Sequence, residues 1–195
     1  AGQDNARAQF KLAVAYAKGR GVTQDEPEAV SWYQRAAELG NAPAQYNLGT
    51  MYASGKGVPK DDHQAVSWYR KAAEQGDPDA QFNLGVRYDH GRGVPKDEPQ
   101  AVSWYRKAAE QGYARAQYAL GVKYDNGQGV AQDYAQALAL YRQAAEQGHA
   151  GAQTNLGVLF YKGSGIKKDY VEADKWFNIA SAADHEDAKV NRNLM

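Results

Sequence analysis

The chain has 195 residues, 43% of them hydrophobic and 24% charged, which fits a folded protein and excludes a disordered one. Its 23 Lys and Arg balance its 23 Asp and Glu, and a formal net charge of zero argues against a sequence-independent nucleic-acid binder, which needs a cationic surplus against phosphate. With no cysteine, a disulfide scaffold, a thiolate zinc site and a Cys nucleophile are excluded as well, and no apolar run approaches the ~20 residues that cross a bilayer.

Ala1 to Asn5 carry no pattern and are expected to fray. From Ala8 onward the chain repeats itself. Ala-Gln opens a copy at Ala8, Ala44, Ala80, Ala116 and Ala152, each 36 residues after the last, and Ala188 opens a sixth, truncated copy. A fixed period of this length is the mark of a solenoid, in which each copy is one supersecondary unit stacked on its neighbours. The copies run 8–43, 44–79, 80–115, 116–151 and 152–187, within one array spanning 1–195, and 188–195 is expected to cap the fifth.

Each copy predicts two helices. In the first, Leu48, Gly49 and Tyr52 recur as Leu84, Gly85, Tyr88, then Leu120, Gly121, Tyr124, then Leu156, Gly157, Phe160, an apolar stripe at helical spacing. A mid-helix glycine costs about 1 kcal/mol against alanine, so its recurrence predicts two helices pressed together there. Copy one has Ala13 at this register. A G-x-G turn follows (Gly55 and Gly57 in copy two), read as an interhelical turn needing positive φ. It lacks the strand, the third glycine and the Lys-Ser/Thr of a phosphate loop.

The second helix starts at an acid with Glu or Gln three residues on: Asp25/Glu28, Asp61/Gln64, Asp97/Gln100, Asp133/Gln136 and Asp169/Glu172. This resembles a capping box. The helix ends at Gly40, Gly76, Gly112 and Gly148, expected in the left-handed C′ position, and Asn41 and Asp77 then start the next first helix. The aromatic positions, Phe10, Tyr46, Phe82 and Tyr118 with Trp32, Trp68, Trp104 and Trp176, repeat too faithfully for a ligand cage and are read as packing.

The pattern A-x-x-x-L-G-x-x-Y-x-x-G-x-G-V, then D, then A-V-x-W-Y-x-x-A-A-E-x-G resembles the Sel-one-like repeat (SLR), a branch of the tetratricopeptide (TPR) superfamily. It spans residues 8 to 187. The departures are Ala13 for Gly, Leu140 for Trp, Phe160 and Phe177 for Tyr, and Asp184 for Gly. The resemblance implies an all-α fold, an α-α superhelix in which five SLR/TPR-like helix pairs form a right-handed solenoid with a partial C-terminal cap and first helices lining a concave groove. It implies a non-catalytic scaffold or adaptor for a protein or peptide partner. Some disulfide-rich bacterial members of the family bind β-lactams, so an envelope protein acting on peptidoglycan or β-lactams is the alternative. That precedent transfers poorly to a chain without Cys.

In an array, positions that differ between copies are the ones left for a ligand. A second stripe on each first helix collects Lys11, Asn47, Asn83, Ala119 and Asn155; then Ala15, Met51, Arg87, Lys123 and Leu159; then Lys18, Ser54, His90, Asn126 and Lys162, beside Tyr161. Asn47, Asn83 and Asn155 match a register at which peptide-clamping TPR proteins use asparagine. Asn offers both a donor and an acceptor to a peptide backbone; the alternative is that these amides bond a neighbouring helix. Lys11, Lys18, Arg87, His90, Arg115, Lys123, Asn126, Tyr161 and Lys162 complete the candidate groove, its cations suited to a carboxylate-bearing partner.

No enzyme is expected. His63, His90, His149 and His185 are isolated, Ser31, Ser67 and Ser103 recur before Trp as scaffold, and no residue set resembles a catalytic constellation. No metal or cofactor is implied. The chain is expected to be monomeric, with weak end-to-end association through the incomplete sixth copy. The lack of an initiating Met favours a periplasmic or secreted bacterial protein.

Overall fold

A computed structural model describes residues 2–182 of the chain. Among them lie ten α-helices and no strand: α1 (Gly2–Lys18), α2 (Glu26–Glu38), α3 (Ala42–Ser54), α4 (Asp62–Glu74), α5 (Pro78–His90), α6 (Glu98–Glu110), α7 (Ala114–Asn126), α8 (Tyr134–Glu146), α9 (Ala150–Lys162) and α10 (Tyr170–Ala182). The fold is the all-α solenoid that the period predicts. Two compact units divide it, Ala1–Asp97 and Glu98–Met195. In the first, α1 to α5 pack each on the next; in the second, α6 to α10 do the same. The expected cap at 188–195, with Asp184 and His185, lies outside the described residues.

The N-terminus corrects one expectation. Residues 2–5 do not fray but extend α1, which at 17 residues outruns the 13 of every other helix. Asn5 accepts a hydrogen bond from the Gln9 side chain one turn on, at 3.0 Å.

The caps behave as their chemistry dictates. Asp25 Oδ1 accepts from the Glu28 N–H at 2.9 Å, Asp61 from His63 and Gln64, Asp133 from Ala135 and Gln136, and Asp169 from Glu172. The reciprocal half of the box differs. Glu28 and Glu172 turn forward and accept from the indole N–H of Trp32 (2.8 Å) and Trp176 (3.2 Å). The N–H of these half-buried indoles finds its partner in the acid one turn earlier. Asn41, Asp77 and His149 cap α3, α5 and α9.

The two glycines of each G-x-G turn have different duties. Gly55 (φ 73°) is the left-handed end of α3. Gly57 (φ 68°) lies against the start of the preceding repeat's second helix: a Cβ there would sit 2.5 Å from the Glu26 carbonyl carbon and oxygen. Gly93 meets the Asp62 carbonyl and Gly129 the Glu98 carbonyl in the same way, while Gly165 meets the Cβ of Tyr134. Gly21, whose repeat has no predecessor among the described residues, has nothing within 4 Å. This glycine therefore lets one repeat seat on the previous one, a duty beyond the turn expected from sequence.

The Ala-Gln signature has a structural role that the repeat pattern alone does not disclose. Gln45, Gln81, Gln117 and Gln153 are each 5% exposed. Their amides donate to the carbonyls of Ala37, Ala73, Ala109 and Ala145, tying each first helix to the end of the second helix before it. Two of these Oε1 atoms in turn accept from a glutamine 30 residues on, Gln75 to Gln45 and Gln147 to Gln117, each at 2.7 Å, whereas Gln153 Oε1 is buried without a partner. Gln9 would need that donor at position 39, which is Leu39, 47% exposed, and the buried Gln9 Oε1 has no partner. Leu39→Gln is expected to stabilise the chain by about 1 kcal/mol, the worth of one buried hydrogen bond. Urea denaturation with an unchanged slope would show it; no gain would mean that the Gln9 carbonyl is already satisfied by water.

Candidate functional site

The second stripe of the first helices divides by depth. At its middle register Met51 and Leu159 are buried, Lys123 is 6% exposed and the Arg87 side chain is 13% exposed. Arg87 forms an ion pair with Asp62 at the start of α4 and lies over the Tyr69 ring, 5.8 Å from its centre. Variation at this register is variation in how the interior is filled. Arg87 and Lys123, placed in the candidate groove by sequence, are enclosed, because this register points toward the neighbouring helices.

The asparagine register is half-buried, at the edge of that interior. Asn47 Nδ2 donates to the Pro43 carbonyl at 2.8 Å and Asn83 Nδ2 to the Asp79 carbonyl at 2.9 Å, one turn back on their own helices. These bonds fix the two amides in one orientation. Asn155 instead bonds the hydroxyl of Tyr141 on α8. Of the remaining candidates, Lys11, Lys18, His90, Arg115, Asn126, Tyr161 and Lys162 are exposed. His90 Nδ1 lies 3.0 Å from the Val86 carbonyl, and Tyr161 meets Tyr170 edge-on at 5.6 Å.

Beneath the stripe runs a layer of tyrosines. Phe10–Tyr33, Tyr46–Tyr69 and Tyr118–Tyr141 are tilted ring pairs about 6 Å apart, each joining the two helices of one repeat, the packing role expected of these aromatics. Tyr69 donates to Thr50 Oγ1 at 3.2 Å, and Tyr141 to Asp125 Oδ2 at 3.1 Å. Burial is the main cause that pushes the Tyr141 hydroxyl well above the usual phenol range, and the Asp125 carboxylate adds to it; the Asn155 hydrogen bond opposes both. Burial raises Tyr33 and Tyr46 too. Such hydroxyls stay protonated and serve as fixed donors. Among the described residues, no three His, Asp or Glu side chains converge as a metal site would require, and no helix is long and apolar enough to cross a membrane.

The second helices carry a contrasting face. Arg35 lies over the Trp32 ring at 4.5 Å, Lys71 over Trp68 at 3.8 Å, Lys107 over Trp104 at 4.0 Å and Lys175 over Trp176 at 5.5 Å. The cation three residues after Trp32, Trp68 and Trp104 is a pairing that i, i+3 spacing could have disclosed from sequence, whereas Trp176 is met by the residue just before it. Repeat four has neither member: Leu140 and Gln143 stand there.

The chain resembles known proteins over nearly its whole length. A Sel1 repeat protein from Oxalobacter formigenes superposes with a TM-score of 0.87 at 40% identity, covering 93% of this chain and 72% of that one. Protein c5321, a protective antigen of uropathogenic Escherichia coli with an SLR fold, gives 0.58 at 34% identity, covering 97% of this chain and 48% of that one. Immunity protein PA5088 of Pseudomonas aeruginosa gives 0.56 at 25% identity, covering 94% and 67%. No curated protein is a significant match to the sequence. The Sel1 repeat model matches residues 6–41, 42–77, 78–113, 114–149 and 150–185. Ten helices in five pairs, the glycine seats between them and these five matches together place the chain in the Sel1 repeat family, whose members are generally protein-interaction scaffolds.

Proposed function

We propose that this protein is a non-catalytic scaffold that holds an extended peptide or loop of a protein partner along its first helices. Asn47 and Asn83 in the N-terminal unit are the central contacts. The observation that carries this reading is their fixed geometry: each amide has one N–H engaged by its own helix, which leaves Oδ1 and the second N–H oriented for a peptide backbone. Prior fixation lowers the entropy lost on binding. The exposed Lys11, Lys18 and His90 flank these amides in sequence and suit an acidic segment. In the C-terminal unit Arg115, Asn126, Tyr161 and Lys162 play the corresponding part, while Asn155 is partly engaged by Tyr141. The likeness to an immunity protein supports a protein rather than a small-molecule partner.

The test is crosslinking followed by pull-down in the native host. Asn47→Ala with Asn83→Ala is expected to reduce capture about tenfold, the worth of two lost hydrogen bonds, with Asn155→Ala tested separately. Capture at the wild-type level by the double variant would remove these asparagines from recognition.

A further inference from the structure

We infer that the cleft left in repeat four by the missing tryptophan receives a tryptophan side chain from a partner protein. This site is lined from α6, α7 and α8 and contains none of the asparagines of the candidate groove. In repeat two, Trp68 is 8% exposed and packs with Ala37 and Leu48, with the half-buried Tyr52 against the same cluster. The residues at the same register two repeats on are Ala109, Leu120 and Tyr124. They line a cleft of about 420 Å³ with Leu140, which stands where the Trp would be. The cleft has the size of a small-ligand pocket, and its walls are those that hold an indole elsewhere in the array.

The polar fittings of an indole are also in place. In repeats one and five the indole N–H donates to the side chain four residues earlier, Glu28 and Glu172. The matching residue in repeat four is Gln136, which lines the cleft and has a carbonyl to accept the same bond. Arg106 lies at the other wall, donating to the Tyr124 hydroxyl at 3.0 Å. The cation that covers Trp32, Trp68 and Trp104 is replaced in repeat four by Gln143, also in the lining. All four tryptophans of these 195 residues lie in α2, α4, α6 and α10, each already serving its own repeat, so the occupant proposed is a partner's. A buried indole in a preformed slot is the kind of anchor that dominates protein interfaces.

The experiment titrates the whole chain with N-acetyl-tryptophanamide and follows the methyl resonances of Ala109, Leu120 and Leu140. Saturable shifts with a Kd on the order of a millimolar are expected, with N-acetyl-leucinamide at least about tenfold weaker. Gln136→Ala should weaken binding several-fold. Leu140→Trp should abolish it and raise Tm, because the slot then holds its own indole. Absent saturation in the wild type, equal affinity for the leucine amide, or undiminished binding by Leu140→Trp would each overturn the proposal. The Asn47 and Asn83 substitutions should leave this binding unchanged, so failure here and failure of the groove are separable.

Discussion

Gly57→Ala is expected to destabilise the N-terminal unit by about 4 kcal/mol, whereas Gly21→Ala is expected to cost only about 1 kcal/mol. Both glycines have positive φ, 68° and 76°, and the strain of a left-handed alanine is on the order of 1 kcal/mol at either. The difference is what lies opposite. A Cβ on Gly57 would fall 2.5 Å from the Glu26 carbonyl and 2.9 Å from the Pro27 nitrogen, while one on Gly21 would meet nothing within 4 Å. Backbone at a helix start cannot rotate away as a flexible side chain can, so the clash can be relieved only by parting two repeats and exposing their shared apolar surface. Denaturant unfolding of the two variants side by side decides the matter. Equal losses would show that only φ matters and that the repeats seat on one another by other means.

Gly121→Val is expected to cost about 3 kcal/mol in the C-terminal unit, despite removing a mid-helix glycine. The new Cβ would lie 2.7 Å and 2.8 Å from two carbons of the Tyr141 ring. That ring is fully buried, and its hydroxyl is held by Asp125 and Asn155, so it has no room to yield. Propensity favours the substitution by only a few tenths of a kcal/mol, and overpacking in a filled interior outweighs this. A thermal transition lowered by several degrees would bear this out. Unchanged stability would mean that α7 and α8 can part slightly without loss. Repeat one shows the limit of tolerance, with a fully buried Ala13 at this register.

Features set by local backbone chemistry were legible in the sequence. The period, the two helices per copy, the acid caps, the glycine C′ positions and the aromatic layer all follow from residues a few places apart, and the structure shows each. Features set by the identity of a distant neighbour were hidden. Nothing local says that Gln45 meets Gln75, or that the second glycine of a turn faces the preceding repeat. Variation within the array was also an imperfect guide to exposure. Arg87 and Lys123 differ from Met51 and Leu159 as a ligand-facing register should, yet they sit inside, because long cationic stems can fill space that an apolar side chain fills elsewhere. Glu28 and Glu172 bond an indole rather than closing a box, because a tryptophan four residues on brings its N–H within reach.

The glycine seats carry a consequence for how such a chain can change over generations. The second glycine of each turn meets the preceding copy at a fixed register, Gly57 at Glu26 and Gly93 at Asp62, so excision of residues 44–79 would present Gly93 to Glu26. Loss or duplication of whole copies leaves every joint matched, while an insertion of any other length misaligns all joints downstream of it. Length in whole copies is thus open to heritable change, and the array can lengthen or shorten while its glycine seats stay in register.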